Sequence, residues 1–234
     1  ENAAREPEIV QLCDALNKMG ANINGISTDK IIIEGVEELQ STDLDVIPDR
    51  IEAGTYLIAG AAMGEITLNY CNPNHLDVLI EKLIQAGAII ATSENSISIK
   101  KANPINPVDI TTEVYPGFPT DLQAQWIALM AIASGTSVVT DTVYHDRFTH
   151  IPELNRLGAN IELRDNSAKI NGVDHLIGAP VMSTDIRASA ALILGAIMAR
   201  GQTDISRVYH IDRGYELIEE KFQALGVEIV RKND

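Results

Sequence analysis

Three blocks of the chain carry apolar residues at helical spacing. They are IPDRIEAGTYLIAGAAMGEITL, FPTDLQAQWIALMAIASGTSVV and MSTDIRASAALILGAIMARGQTDI. In each, an aspartate opens the predicted helix (Asp49, Asp121, Asp185), and a glycine closes it 14 to 16 residues later (Gly64, Gly135, Gly201). A β-branched run follows. Asp or Thr-Asp ahead of an apolar-periodic run is a helix-capping signal. A second pattern lies between the blocks: LNKMGANI, LIQAGAII, LNRLGANI and FQALGVEI, each a helix end followed by a strand. Their glycines, Gly20, Gly87, Gly158 and Gly226, stand 67, 71 and 68 residues apart. Each follows the last apolar position of its helix, where a left-handed C-cap is wanted. Polar turns then lead into short strands at DKIIIEG, SISIK and SAKIN.

The repeat period is therefore near 70 residues, with helix, strand, helix, strand and strand in each copy. That exceeds the period of ordinary solenoids. Three such α/β units can close on one another and bury a shared helical core. Residues 47–234 hold about three units, and residues 1–46 hold the second half of another. A half-unit cannot bury its apolar face alone, so a partner segment is expected on its N-terminal side. The boundary is predicted between Leu39 and Pro48.

Composition sharpens this picture. The chain is 45% hydrophobic but only 4% aromatic, which suits aliphatic helix-on-sheet packing. Its formal net charge of −15 opposes non-specific binding of nucleic acid or an anionic membrane. An anionic ligand would have to be held by a few local arginines against that field. Cys13 and Cys71 show neither metal spacing nor a disulfide framework, and read as buried free thiols. His145 and His150 fall in a predicted loop, where solvated or hydrogen-bonded side chains are expected rather than metal ligands. The apolar stretch Ala188–Ala199 is too short to span a bilayer. The charged opening, ENAAREPE, reads as the middle of something longer.

Two features point to chemistry. Asp121 occupies the capping position that Asp49 and Asp185 share, so the residues alone favour a structural cap. Arg147 and Arg213 follow equivalent strands, in YHDRFTH and YHIDRGYE, whereas the first copy has YCNPNHLD and no arginine. Two arginines at matching ends of repeat-related strands can converge on one anion.

The motifs ENAAREPEI, PDRIEAGT, PGFPTDLQAQ, APVMSTDIRASA and YHIDRGYE, in this order and spacing, closely resemble the C-terminal part of the UDP-N-acetylglucosamine enolpyruvyl transferases (1-carboxyvinyltransferases). The resemblance runs from Glu1 to about Arg231. The related shikimate-pathway enolpyruvyl transferases share the fold, but their motifs are not seen here. The resemblance implies an inside-out α/β barrel of two lobes, each of three βαβαββ units with pseudo-threefold symmetry, helices inside and sheets outside. Residues 47–234 would be most of one lobe, and residues 1–46 the tail of the other. It further implies a cytoplasmic enzyme without metal or cofactor. The reaction would move enolpyruvate from phosphoenolpyruvate to the 3-hydroxyl of UDP-N-acetylglucosamine and release phosphate, the first committed step of peptidoglycan synthesis.

Carried over position by position, the resemblance gives each residue a role. Asp121 matches the carboxylate that contacts the sugar 3-hydroxyl and is proposed to accept its proton. Arg147 and Arg213 match the arginines that hold the carboxylate and phosphate of phosphoenolpyruvate. Asp185 lies beside the reacting centre, Arg187 at the cleft between lobes, and the Val143 backbone by the uracil. One departure is TVYHDRF, where the family more often has an acidic residue and Asn before the arginine. The other lobe would supply a Lys-Asn pair, an arginine on a mobile loop, and a loop cysteine or aspartate as proton donor. None of these motifs occurs in the 234 residues. The chain alone is therefore expected to be inactive. The alternative is a catalytically dead structural or interaction domain on the same fold.

Overall fold

The computed structural model describes residues 1–232. The first block has α1 (Pro7–Lys18) followed by a hairpin of β1 (Asn22–Asn24) and β2 (Ile32–Glu34). Pro7 stands in the first turn of α1, where its missing N–H costs nothing. No regular element follows until Arg50.

The next unit runs α2 (Arg50–Met63), β3 (Glu65–Asn69), α3 (Asp77–Gln85), β4 (Ile89–Thr92) and β5 (Ser96–Lys100), with sheet order β3-β5-β4. The central unit is complete. It runs β6 (Ile110–Thr112), α4 (Gln123–Met130), β7 (Thr136–Asp141), α5 (Ile151–Arg156), β8 (Asn160–Arg164) and β9 (Ser167–Asn171), with order β6-β7-β9-β8. This is the expected βαβαββ unit, with β6 and β7 parallel and the other pairs antiparallel. The last unit has β10 (Leu176–Ile177), β11 (Pro180–Met182), α6 (Ile186–Met198), β12 (Ala199–Arg200), β13 (Asp204–Ser206) and α7 (Ile218–Ala224). Here β10 pairs with β12 and β11 with β13, both parallel, so the two pairs repeat the β6–β7 arrangement with a break. At the break, a Cβ on Gly178 would lie 2.3 Å from the Gln202 carbonyl oxygen, so only glycine permits the approach.

Helices α2, α4 and α6 pack on one another, and the sheets lie outside them. Every residue of α4 is buried, and from Ala188 to Gly195 so is every residue of α6. A helix covered on all sides has no face for water and belongs in the core, and the buried Gln125 of α4 bonds Thr55 and Tyr215 there. The four repeat glycines all adopt left-handed backbone, with φ of 102°, 99°, 86° and 87° at Gly20, Gly87, Gly158 and Gly226. The strands expected at DKIIIEG, SISIK and SAKIN are β2, β5 and β9.

Three expectations need correction. First, Asp49 and Asp185 are true caps. Asp49 accepts from the amides of Ile51 and Glu52, and Asp185 from those of Arg187 and Ala188. Asp121 is not a cap. Its helix is entered through a 3-10 turn, Thr120–Leu122, with no side-chain capping bond, because the Asp121 carboxylate is engaged elsewhere. Second, α4 stops at Met130, short of Gly135. The chain tightens there, with amides of Ile132 and Ala133 bonding three residues back, and the Ser134 amide then leaves to bond Ile105. Third, no strand follows Gly226 among the described residues. A strand needs a hydrogen-bonded neighbour. β8 has β9, whereas residues 227–232 have no strand beside them.

Both cysteines are buried free thiols, and burial pushes the Cys71 thiol above its ordinary range. His145 is exposed, but His150, expected to be solvated or hydrogen-bonded, is 1% exposed and its Nε2 has no partner among the described residues.

Candidate functional site

The site forms where the three central helices begin. Asp121 sits in the 3-10 turn leading into α4, half-buried. Its Oδ1 accepts from Arg147 Nη1 at 2.6 Å and from Arg187 Nε at 3.0 Å. Arg147 lies in the loop after β7, and Arg187 in the first turn of α6. Two repeats thus each send one guanidinium to the carboxylate of one of them. Both arginines are mostly covered, at 24% and 19% side-chain exposure, so the pair of charges is only partly screened. Burial by itself would raise the Asp121 carboxyl. Arg187, then Arg147, outweigh it and hold the group below the usual carboxylate range.

Asp185 is held by neutral donors instead. Its Oδ1 takes the amides of Arg187 and Ala188, and its Oδ2 takes the hydroxyls of Thr149 and Thr184. Burial raises its carboxyl, and these four bonds lower it further than burial raises it. Capping therefore also fixes where the Arg187 backbone starts.

Val143 is partly exposed, and its amide donates to Asp141. It lines one cleft with Thr120, Asp121, Tyr115, Arg50 and Glu6. Arg213 is not drawn to Asp121. It is exposed, at the end of a 3-10 turn, Val208–Arg213, and makes no ion pair among the described residues. The next residue, Gly214, abuts Ile186, the neighbour of Arg187. Arg213 thus borders the site, while Arg147 and Arg187 are the pair in contact with its carboxylate.

Sequence reasoning passed over Arg50, Tyr115 and Thr120. Arg50 packs over the Tyr115 ring, 5.5 Å to its centroid, and forks onto Glu8 of α1 at 2.9 and 3.2 Å. A signal for it existed. It follows the capping aspartate directly, where the other copies have Leu122 and Ile186. Among the described residues no group of His, Cys, Asp and Glu is arranged to hold a metal ion, and no helix is long and apolar enough to cross a membrane.

Two arginines from different repeats, one in the loop after β7 and one in the first turn of α6, share one carboxylate, and such guanidinium forks have the geometry to take an anionic group. Residues 1–222 match the family model described as EPSP synthase (3-phosphoshikimate 1-carboxyvinyltransferase). The chain belongs to the EPSP synthase family. Within it, the chain is 52% identical over 234 residues to the UDP-N-acetylglucosamine 1-carboxyvinyltransferase of Hydrogenovibrio crunogenus, covering 99% of this chain and 56% of that protein. It is 53% identical over 232 residues to the enzyme of the same name from Chlorobium chlorochromatii, covering 99% and 55%. The chain spans about half the length of these curated relatives. Among solved structures, the enolpyruvyl transferase NikO from Streptomyces tendae superposes with a TM-score of 0.87 at 26% identity, over 97% of this chain and 55% of that one. An EPSP synthase from Acinetobacter baumannii, at TM-score 0.69 and 17% identity over 93% and 54%, shares the fold. The family's α/β architecture is therefore that of this chain.

Proposed function

We propose that this chain is the C-terminal part of an enzyme that transfers enolpyruvate from phosphoenolpyruvate to the 3-hydroxyl of UDP-N-acetylglucosamine, in the cytoplasm and for peptidoglycan synthesis. The observation that carries the reading is the Asp121 carboxylate held between Arg147 and Arg187. Relatives at about half identity bearing that activity in their names support it.

In the resting arrangement Asp121 is a poor base, because two cations stabilise its charge. An incoming phosphoenolpyruvate changes that. Its carboxylate and phosphate compete for the Arg147 and Arg187 forks, with Arg213 free at the border to take a further oxygen. As the arginines turn to the substrate, Asp121 loses stabilisation and becomes able to orient the sugar hydroxyl and accept its proton. The hydroxyl oxygen bonds to C2 of phosphoenolpyruvate while C3 gains a proton. Loss of the phosphate and of the C3 proton then restores the double bond. The arginines stabilise the charge that accumulates on the departing phosphate. Val143, on the wall of the same cleft, would present backbone to the uracil, and Asp185 would hold the α6 start beside the reacting centre.

The proton donor to C3 belongs to the other lobe in this reading, and so does half of the substrate clamp. Two features of the fold support a second lobe. The hairpin segment exposes Ile32, Ile33, Val36, Leu39, Leu44 and Val46. Among the described residues, no parallel strand stands beside β3 as β6 stands beside β7. In the alternative, a catalytically dead domain, the same two arginines would serve only to tie the α4 and α6 starts together, and turnover separates the two readings.

Phosphate release by the full-length two-lobed protein is the test. Release that requires both substrates supports the reading, and none with both present overturns it. The 234-residue chain by itself is expected to turn nothing over.

A further inference from the structure

One completely buried carboxylate is not used by the reaction as proposed. Asp141 ends β7, is 0% exposed, and no cation contacts it among the described residues. Its oxygens are satisfied by four donors. Oδ1 accepts from Thr112 Oγ1 at 2.6 Å, from the Val143 amide at 3.0 Å and from the Tyr144 amide at 2.8 Å. Oδ2 accepts from Thr120 Oγ1 at 2.6 Å. The residue's own backbone is also anchored. Its N–H donates to the Asn166 carbonyl, and its carbonyl accepts from Asn166 Nδ2. The parallel register that sets Thr112 opposite Asp141 supplies the first donor.

A buried carboxylate is costly, and a loop turn alone would not need one, since asparagine can accept the same two amide bonds. What asparagine cannot do is accept at both side-chain positions. The second position is the one occupied by Thr120. Because both Asp141 oxygens only accept, the Thr120 hydroxyl must point its proton at Asp141. Its lone pairs then face outward, and Arg147 Nη1 donates to them at 3.3 Å. The same Nη1 donates to Asp121 Oδ1. Donation therefore runs outward from Arg147 in both directions, straight to Asp121 and through the Thr120 hydroxyl to Asp141, and the buried carboxylate fixes which way that hydroxyl points.

We propose that Asp141 is a positioning residue for enolpyruvyl transfer. Through the Thr120 hydroxyl it orients the Arg147 guanidinium against Asp121, and through the Val143 and Tyr144 amides it shapes the wall of the same cleft. This rests on the functional reading above for the reaction, but not for the geometry.

The test uses the full-length two-lobed protein and three variants. Thr120→Val keeps shape and removes the hydroxyl. Thr120→Ser keeps the hydroxyl. Asp141→Asn keeps the amide acceptor but turns the second position into a donor, which reverses the hydroxyl. Thr120→Val and Asp141→Asn are expected to lower kcat/KM for phosphoenolpyruvate by about tenfold or more, with KM for the nucleotide sugar changed less in Thr120→Val than in Asp141→Asn, and Thr120→Ser is expected to recover most of the loss. Nitrogen-edited spectra of the arginine side chains, with Arg147 assigned through Arg147→Lys, report orientation without any turnover. The Arg147 guanidinium signals, held apart by restricted rotation in the parent, are expected to merge in Thr120→Val and return in Thr120→Ser. If the parent turns over and Thr120→Val keeps its kcat/KM, or if the Arg147 signals are unchanged in Thr120→Val, the proposal is overturned. If the parent itself does not turn over, the functional reading fails, and the spectra alone decide the positioning role. Should Asp141→Asn fail to fold, the two Thr120 variants still decide it.

Discussion

Arg147 and Arg187 meet on a single oxygen, Oδ1 of Asp121, at 2.6 and 3.0 Å. Two cations sharing one acceptor atom means that the carboxylate competes with any anionic ligand for the same forks. Asp121→Asn removes that competitor. Phosphoenolpyruvate or inorganic phosphate should bind the full-length protein more tightly, by about fivefold for an ion pair worth roughly 1 kcal/mol. Turnover should move the other way, with kcat falling by roughly a hundredfold or more if the carboxylate handles the sugar proton. Calorimetric titration with phosphate and steady-state kinetics on the same variant check both halves. Weaker anion binding would show that Asp121 organises the arginines rather than occupying them.

Shared contact also implies energetic coupling. Arg147→Ala and Arg187→Ala should each cost about ten- to hundredfold in kcat/KM for phosphoenolpyruvate. The double variant should lose less than the product, because either change alone already unbalances Asp121. Arg213 touches neither partner, so Arg213→Ala combined with Arg187→Ala should come closer to additivity. Lysine at 147 should recover only part of the loss, since an ammonium cannot reproduce the planar fork. A double-mutant cycle with the three arginines measures this. Strict additivity of Arg147 and Arg187 would remove the shared-carboxylate account.

Much of this fold was legible in the chain because the repeat is written twice, once in helix starts and once in glycine stops. All four stop glycines take the left-handed backbone that their position demands. The site was harder. Asp121, Asp49 and Asp185 look alike in sequence, and only the two with free backbone amides in reach became caps. What diverts Asp121 is a pair of arginines 26 and 66 residues away, a separation that no local pattern encodes. The same limit explains Arg213. Repeat symmetry put it on a par with Arg147, but the side chain that reaches the carboxylate comes from α6. Thr120 and Asp141 carry no local signal because they meet only in the fold, where a hydroxyl in the turn before α4 reaches a carboxylate at the end of β7, 21 residues away.

Acid should loosen the fold in two stages, beginning with His150. Burial drives its pKa from 6.5 down to about 4, against a smaller upward pull from Asp185. Between those values the unfolded chain binds a proton that the folded chain does not. The stability is thus whole above about pH 6.5 and declines as pH falls towards 4, by up to roughly 3 kcal/mol. Asp121 and Asp185, both lowered from an ordinary 3.8, act in the same sense, since the unfolded chain again takes up the proton first, but their share of the stability is lost only as pH falls below about 3.8. Melting temperature against pH should therefore slope between 6.5 and 4 in the parent and become shallower there in His150→Gln, with His75, also lowered by burial, keeping part of the slope. An unchanged slope in that variant would mean that His150 is not the titrating group.

The chain is expected to behave as two blocks joined between Leu39 and Pro48. From Gly35 to Asp49 there is no regular element, and most of the side chains are exposed. The tethers across this stretch are few. The Gln40 amide bonds the Met19 carbonyl, Gln11 reaches the Asp45 carbonyl and the Ile47 amide, and Arg50 forks onto Glu8. Such surface bonds open at little cost compared with the core that α2, α4 and α6 bury. A protease of broad specificity should therefore cut between Leu39 and Pro48 first, leaving a resistant piece that begins near Pro48. Mass spectrometry of the first fragments reads the position. Glu8→Ala should speed that first cut by freeing Arg50, while leaving the resistant piece intact. First cleavage inside residues 60–220, or protection of the joining stretch, would mean that the hairpin block is part of one cooperative unit and that the boundary does not exist.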